Sequence, residues 1–191
     1  MHCGRPLRSE TEEFCHDCRK KRSYIRQGRS VWLHCGPVQG AVYRFKYQNK
    51  RSYGQVFAAE MERCCGGQMR RWEIDEIMPV PLHPSRKRMR GYNQAEILAA
   101  ELSIRTGIPL RNNALFRIKK TVPQKELDDE GRRRNLMGAF GVSTDWIPCR
   151  NVLLIDDIYT TGSTVERCAK MLKKAGVQNV YFLTISIGQG L

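Results

Sequence analysis

The chain has 191 residues, of which 41% are hydrophobic and 27% charged, enough to bury one core with a small appendage. No apolar run approaches the roughly 20 residues that span a bilayer, and the opening MHCGRPLRSETEEFC has no secretion-signal core, so a cytoplasmic protein that is not integral to a membrane is expected. The net charge of +14 is concentrated, with twelve Lys/Arg against four acids in residues 1–51 and thirteen against six in residues 84–135.

In chain order, residues 1–22 form a Cys-containing module that ends in Arg19-Lys20-Lys21-Arg22. Eight cysteines stand at 3, 15, 18, 35, 64, 65, 149 and 168. Reduced thiols are expected in the cytoplasm, and only Cys3, Cys15 and Cys18, spaced C-x11-C-x2-C, suggest chemistry. The other five read as ordinary buried or surface residues. Helical periodicity then appears at Val38, Ala41, Val42 and Phe45, and again at Tyr53, Val56, Phe57 and Met61. Gly36-Pro37 suits a helix start and Gly66-Gly67 a stop. Ile74 to Val80 predicts a strand.

Leu82 to Tyr92 reads as a loop holding Arg86, Lys87, Arg88 and Arg90. Asn93 caps a predicted helix with Ala95, Leu98, Ala99 and Leu102 on one face, stopping near Gly107. Short strands are predicted at Ala114–Ile118 and Ala139–Val142, with a turn near Asp145–Pro148. Lys119 to Asn135 is highly charged and is expected to be mobile or ordered by ligand. Val152-Leu153-Leu154-Ile155 predicts a strand buried on both faces. Val165, Cys168, Ala169, Leu172 and Ala175 stripe the helix after it, with Gly176 as the stop. Asn179 to Ile185 completes a βαβ unit with parallel pairing.

Ligands of parallel sheets bind beyond the carboxyl ends of strands. Asp156 and Asp157 stand there, followed by Thr160, Thr161, Gly162, Ser163 and Thr164 at a helix start. Unpaired N–H groups and the helix dipole suit a phosphate there. Gly162 allows close backbone approach, the hydroxyls donate, and paired carboxylates accept from vicinal sugar hydroxyls. A capping box of Ser163 and Glu166 is the structural alternative, but it leaves Asp156-Asp157 and the doubled threonines unexplained. Trp32, Trp72 and Trp146 can stack bases, though core packing is the better expectation for each.

The run Ile155-Asp156-Asp157-Ile158-Tyr159-Thr160-Thr161-Gly162-Ser163-Thr164 resembles the phosphoribosyl-pyrophosphate (PRPP) motif of type I phosphoribosyltransferases. Three further stretches are Val80-Pro81-Leu82-His83-Pro84-Ser85-Arg86 through Arg90-Gly91-Tyr92-Asn93-Gln94, Thr121-Val122-Pro123-Gln124, and Arg134-Asn135 to Gly138-Ala139-Phe140. With the opening Cys motif they resemble the ComF family of competence-associated proteins over nearly the whole chain. The resemblance implies an α/β fold: a type I phosphoribosyltransferase-like parallel sheet flanked by helices over 31–191, preceded by a Cys-rich zinc module over 1–30.

It also implies that Asp156 and Asp157 face ribose hydroxyls and that Thr160 through Thr164 cradle the 5-phosphate. Arg86, Lys87, Arg88 and Arg90 would meet pyrophosphate or DNA, with Mg²⁺ accompanying PRPP and Lys119–Asn135 as a closing flap. The family's zinc pattern is C-x2-C…C-x2-C. Its first Cys would precede Met1, so the module reads as truncated, or His2 or His16 completes a structural Zn²⁺ site with Cys3, Cys15 and Cys18.

Two functions of different class follow. One is a DNA-uptake factor that binds single-stranded DNA and a ribose-phosphate near the inner face of the membrane, with a helicase-type competence protein as a further partner. The other is an active phosphoribosyltransferase, of amidophosphoribosyltransferase or salvage type. No base-recognition element and no ammonia-releasing N-terminal Cys is legible, so catalytic residues are left unassigned. The basic segments favour the first reading, because clustered cations bind polyanions.

Overall fold

The computed structural model describes residues 2–7, 11–19, 23–118 and 138–188, without the side chains of His16 and Asp17. The expected flap at 119–135, the motif Thr121–Gln124, most of the basic run after Arg19 and the His16 ligand lie outside the described residues. The elements in order are α1 (His16–Arg19), β1 (Gln27–Leu33), α2 (Gly36–Tyr47), α3 (Tyr53–Arg71), β2 (Glu76–Pro79) and α4 (Pro84–Arg90). They continue with α5 (Gln94–Thr106), β3 (Leu115–Arg117), β4 (Phe140–Val142), β5 (Asn151–Tyr159), α6 (Ser163–Ala175) and β6 (Asn179–Ile187).

Four strands form a parallel sheet in the order β1-β6-β5-β2, while β3 and β4 pair antiparallel. Successive side chains of a strand point to opposite faces, and β5 shows the consequence. Val152 and Leu154 pack with Cys168, Leu172 and Phe182 on the α6 side. Leu153 and Ile155 pack with Phe45, Met61, Leu98 and Leu102 of α2, α3 and α5 on the other. The parallel sheet flanked by helices is therefore the architecture expected of the uninterrupted apolar run. The cap at Asn93 also forms, its Oδ1 accepting from the Ala95 N–H at 3.1 Å, and the helix ends at Gly107 in a left-handed conformation.

Two local expectations are corrected, and one strand was not foreseen. Gly66-Gly67 does not end α3, which runs on to Arg71. Glycine costs about 1 kcal/mol in a helix, and burial of Met69 and Trp72 beyond the pair offsets that. The segment 82–92 contains α4, which starts at Pro84 with the Ser85 N–H donating to His83 Nδ1 and stops at Gly91, φ 77°. Strand β1 was not legible, since Gly28-Arg29-Ser30 breaks any apolar pattern. Gly28 is required because a Cβ would lie 2.0 Å from the Phe182 ring of β6.

Candidate functional site

A cavity opens where two neighbouring strands part. β2 pairs with β5 as far as Pro79 opposite Ile155, and the Val80 N–H still donates to the Ile155 carbonyl at 2.9 Å. Pro81 then turns the chain toward α4, while β5 continues beside β6 to Tyr159 opposite Ile187. The last residues of β5 thus lose one neighbour and border a cavity of about 250 Å³. Asp156, Asp157, Thr160 and Thr164 line it from β5 and the following turn.

The two carboxylates are held differently. Asp157 is buried and its Oδ1 lies 2.8 Å from Lys46 Nζ, so it is ion-paired inside the protein. Asp156 accepts the Asp157 N–H at 2.8 Å. Burial, followed by the neighbouring Asp157 charge, raises the Asp156 carboxyl to about 7, against the pull of Lys46. Near neutrality the Asp156 carboxyl is therefore only partly ionised, and a hydroxyl donor or a cation favours its ionised form.

The turn after β5 is shaped by Gly162, whose φ is 74° and whose Cβ would lie 2.2 Å from the Tyr159 hydroxyl. Tyr159 itself is fixed by stacking on Phe182, centroids 4.4 Å apart. Thr161 and Ser163 hydroxyls bond to each other at 2.9 Å. The N-cap residue of α6 is Gly162 and the Ser163 N–H reaches Thr161 Oγ1 at 3.5 Å, so the Ser163–Glu166 capping box does not form. Glu166 instead accepts from the Ser23 hydroxyl at 3.1 Å and the Tyr24 N–H at 2.9 Å. A second cavity of about 30 Å³ lies among Asp156, Thr160, Gly162, Ser163 and Thr164 at the start of α6, where the helix dipole favours an anion.

Of the four cations named from the sequence, Arg86 and Arg90 line the main cavity. Lys87 and Arg88 line an adjoining depression that shares Pro81, Leu82 and Arg117 with it; Lys87 is paired with Glu96 at 2.7 Å. Two cavity residues escaped the sequence reading. Lys46 sits on α2, more than a hundred positions before its partner, and nothing local marks it. Arg117 on β3 is buried, and desolvation and then the nearby Arg86 charge lower its pKa.

The sulfurs of Cys3, Cys15 and Cys18 lie within 4.8 Å of one another, with Cys3 and Cys15 at 3.5 Å. Tetrahedral thiolate ligation requires sulfurs at such spacing, so the cluster is compatible with a metal site. The hydrogen bond from Cys18 holds the Cys3 thiol down, at about 5, and the same contact drives Cys18 up. His2 does not fall inside this group, and its Nε2 is buried with no hydrogen-bond partner among the described residues. Trp72 stacks on Tyr181 and donates to Gln27, and Trp146 donates to Glu76 at 2.9 Å. These two tryptophans are buried anchors, as packing predicted.

Among sequence relatives, Competence protein F of Haemophilus influenzae is 34% identical over 184 residues, 94% of this chain and 80% of that protein. DNA utilization protein YhgH of Escherichia coli is 35% identical over 185 residues, 93% and 79% of the two chains. Competence protein ComFC of Bacillus subtilis is 28% identical over 181 residues, 91% and 71%. No protein-family model matches the chain. Among solved structures, a purine phosphoribosyltransferase from Pyrococcus horikoshii gives a TM-score of 0.45 at 18% identity, covering 71% of this chain and 74% of that one. An adenine phosphoribosyltransferase gives 0.46 at 16% identity, covering 71% and 72%.

Proposed function

This chain belongs to the ComF family, and from that premise we propose that it assists DNA uptake by binding single-stranded DNA together with a phosphorylated ribose of the PRPP type. One observation carries the reading. The acidic pair, the hydroxyl-rich turn and the cations Arg86, Arg90 and Arg117 all border the same cavity. In this reading Asp156 and Asp157 accept hydrogen bonds from ribose hydroxyls, and the turn Thr160–Thr164 receives the 5-phosphate at the start of α6. Arg86 and Arg90 neutralise pyrophosphate, with Lys87 and Arg88 placed for phosphates farther out. Mg²⁺ would accompany pyrophosphate, and Zn²⁺ is the metal that a cluster of three thiols favours.

Calorimetric titration with PRPP and Mg²⁺, with and without single-stranded DNA, tests this directly. Binding by the unmodified protein and its loss in Asp156→Asn/Asp157→Asn are expected; normal binding by the double variant overturns the ribose assignment. The DNA part predicts affinity that falls steeply with salt, and binding indifferent to salt overturns it.

A second reading, transfer of the phosphoribosyl group to an acceptor, draws on the depression beside the cavity. Its lining includes Leu115, Phe116 and Arg117, and its volume is about 560 Å³, enough for a planar acceptor next to C1. Pyrophosphate release that depends on one defined acceptor would support it.

A further inference from the structure

The outer face of α2 carries two tyrosines that do nothing for the core. The packed face of this helix is Val42 and Phe45, whereas Tyr43 and Tyr47 are 54% and 48% exposed. Their rings lie 5.0 Å apart, one turn from each other, so they form a continuous aromatic surface. Arg90 sits over the Tyr47 ring at 4.9 Å and donates to its hydroxyl at 3.3 Å, while also lining the cavity. Lys46, between the two tyrosines in sequence, reaches the same cavity. From residue 18 to residue 59 the chain has ten Lys/Arg and no Asp or Glu, so this surface has no acidic neighbour along its own segment.

Resting on the DNA reading above, we propose that Tyr43 and Tyr47 are a stacking platform for the bases of single-stranded DNA at the mouth of the cavity. Exposed rings interleaved with cations bind single strands because every base has a face to stack while the phosphates meet the positive charge. Arg90, Lys50 and Arg51 are the cations placed to follow the backbone. Arg51 already lies 4.7 Å over the Tyr92 ring and hydrogen-bonds the Gly91 carbonyl beside α4, which fixes its direction. Double-stranded DNA cannot use the platform, since its bases are stacked on one another. The Arg90 guanidinium, shared by platform and cavity, would make strand and ribose-phosphate sense each other.

Fluorescence anisotropy of the full chain with a labelled oligothymidylate of about 20 nucleotides tests the platform. Tyr43→Ala/Tyr47→Ala should weaken binding at least about tenfold, as loss of stacking for one or two bases implies. Tyr43→Phe/Tyr47→Phe, which keeps the rings, should stay within about twofold. Unchanged oligothymidylate binding by the alanine variant overturns the platform and leaves the DNA reading standing, which is the result expected if a protein partner covers the rings. Equal loss in the phenylalanine variant overturns stacking in favour of the hydroxyls. Tight duplex binding overturns it as well. Failure of the parent chain to bind oligothymidylate at low salt removes the DNA reading itself.

Discussion

Arg5 Nη2 donates to the carbonyl oxygen of Thr160 at 3.0 Å, across 155 positions of sequence. A residue two places from Cys3 thus holds the backbone of the hydroxyl-rich turn, and Arg5 is buried in doing so. The Glu166 carboxylate grips Ser23 and Tyr24 from the first turn of α6. One end of the Cys module is therefore tied to the turn that the proposed 5-phosphate would occupy, and its other end to the helix that follows.

Replacing Arg5 by Ala should cost about 2 kcal/mol, the worth of a hydrogen bond from a charged group, and should weaken PRPP binding. Urea unfolding and calorimetry measure the two effects. An Arg5→Ala protein that loses stability but binds PRPP as before would confine Arg5 to a structural role.

The same link predicts that a metal held by the three thiols would affect the cavity. Cys15→Ser, or treatment with a strong chelator, should release the ion, lower Tm and weaken PRPP binding together, because the module that carries Arg5 has little apolar content of its own. Elemental analysis that finds no metal in protein purified under reducing conditions would remove the site.

Asp156 gives a pH signature of defined sign. Its folded value, about 7, lies above the ordinary carboxyl value, so the folded chain binds the extra proton. The resulting penalty is absent below about pH 4, grows between about 4 and 7, and is complete above about 7. Asp156→Asn removes it, so the variant should gain stability relative to the parent as pH rises over that interval. In binding, PRPP with Mg²⁺ should take up the ionised carboxyl and release a proton at about pH 6.5, an effect that fades above about pH 8. Calorimetry in buffers of different ionisation enthalpy reads that proton directly.

Lys46→Met leaves the Asp157 carboxylate buried without its cation. A cost of about 3 kcal/mol is expected. Asp157→Asn in the same chain should recover much of it, since the unpaired charge is then gone. A double variant as unstable as Lys46→Met alone would show that the cost comes from packing of the lysine stem.

Gly162→Ala forces a side chain into a left-handed backbone and against the Tyr159 ring and hydroxyl. The turn must shift, so PRPP binding should be lost and stability should fall by at least about 1 kcal/mol. Gly107→Ala serves as the control, since its φ is likewise positive at 74° but nothing lies within 4 Å of the added carbon. That control should lose stability and keep binding.

Much of this was legible because local rules act over a few residues. The apolar run 152–155 and the stripe from Val165 to Leu172 each carry their own period, and Asn93 and Gly107 mark the ends of one helix by conformation alone. Gly66-Gly67 misled for the opposite reason. Their local preference was outweighed by burial of Met69 and Trp72, which depends on chain far away. Gly28 is similar: it reads as a strand breaker until Phe182 is seen to fill the space of its side chain.

By itself the sequence determined which groups this protein offers: paired acids before a hydroxyl-rich glycine turn, three thiols near one end, and an excess of cations. Tertiary structure alone decided which of them meet. It brought Lys46 and Arg117 to the acids, seated Arg5 on the turn and left two tyrosines half exposed, one of them against Arg90. Those pairings join residues far apart in the chain, and the free energy that selects them comes from the whole core closing at once, which no short window of residues can express.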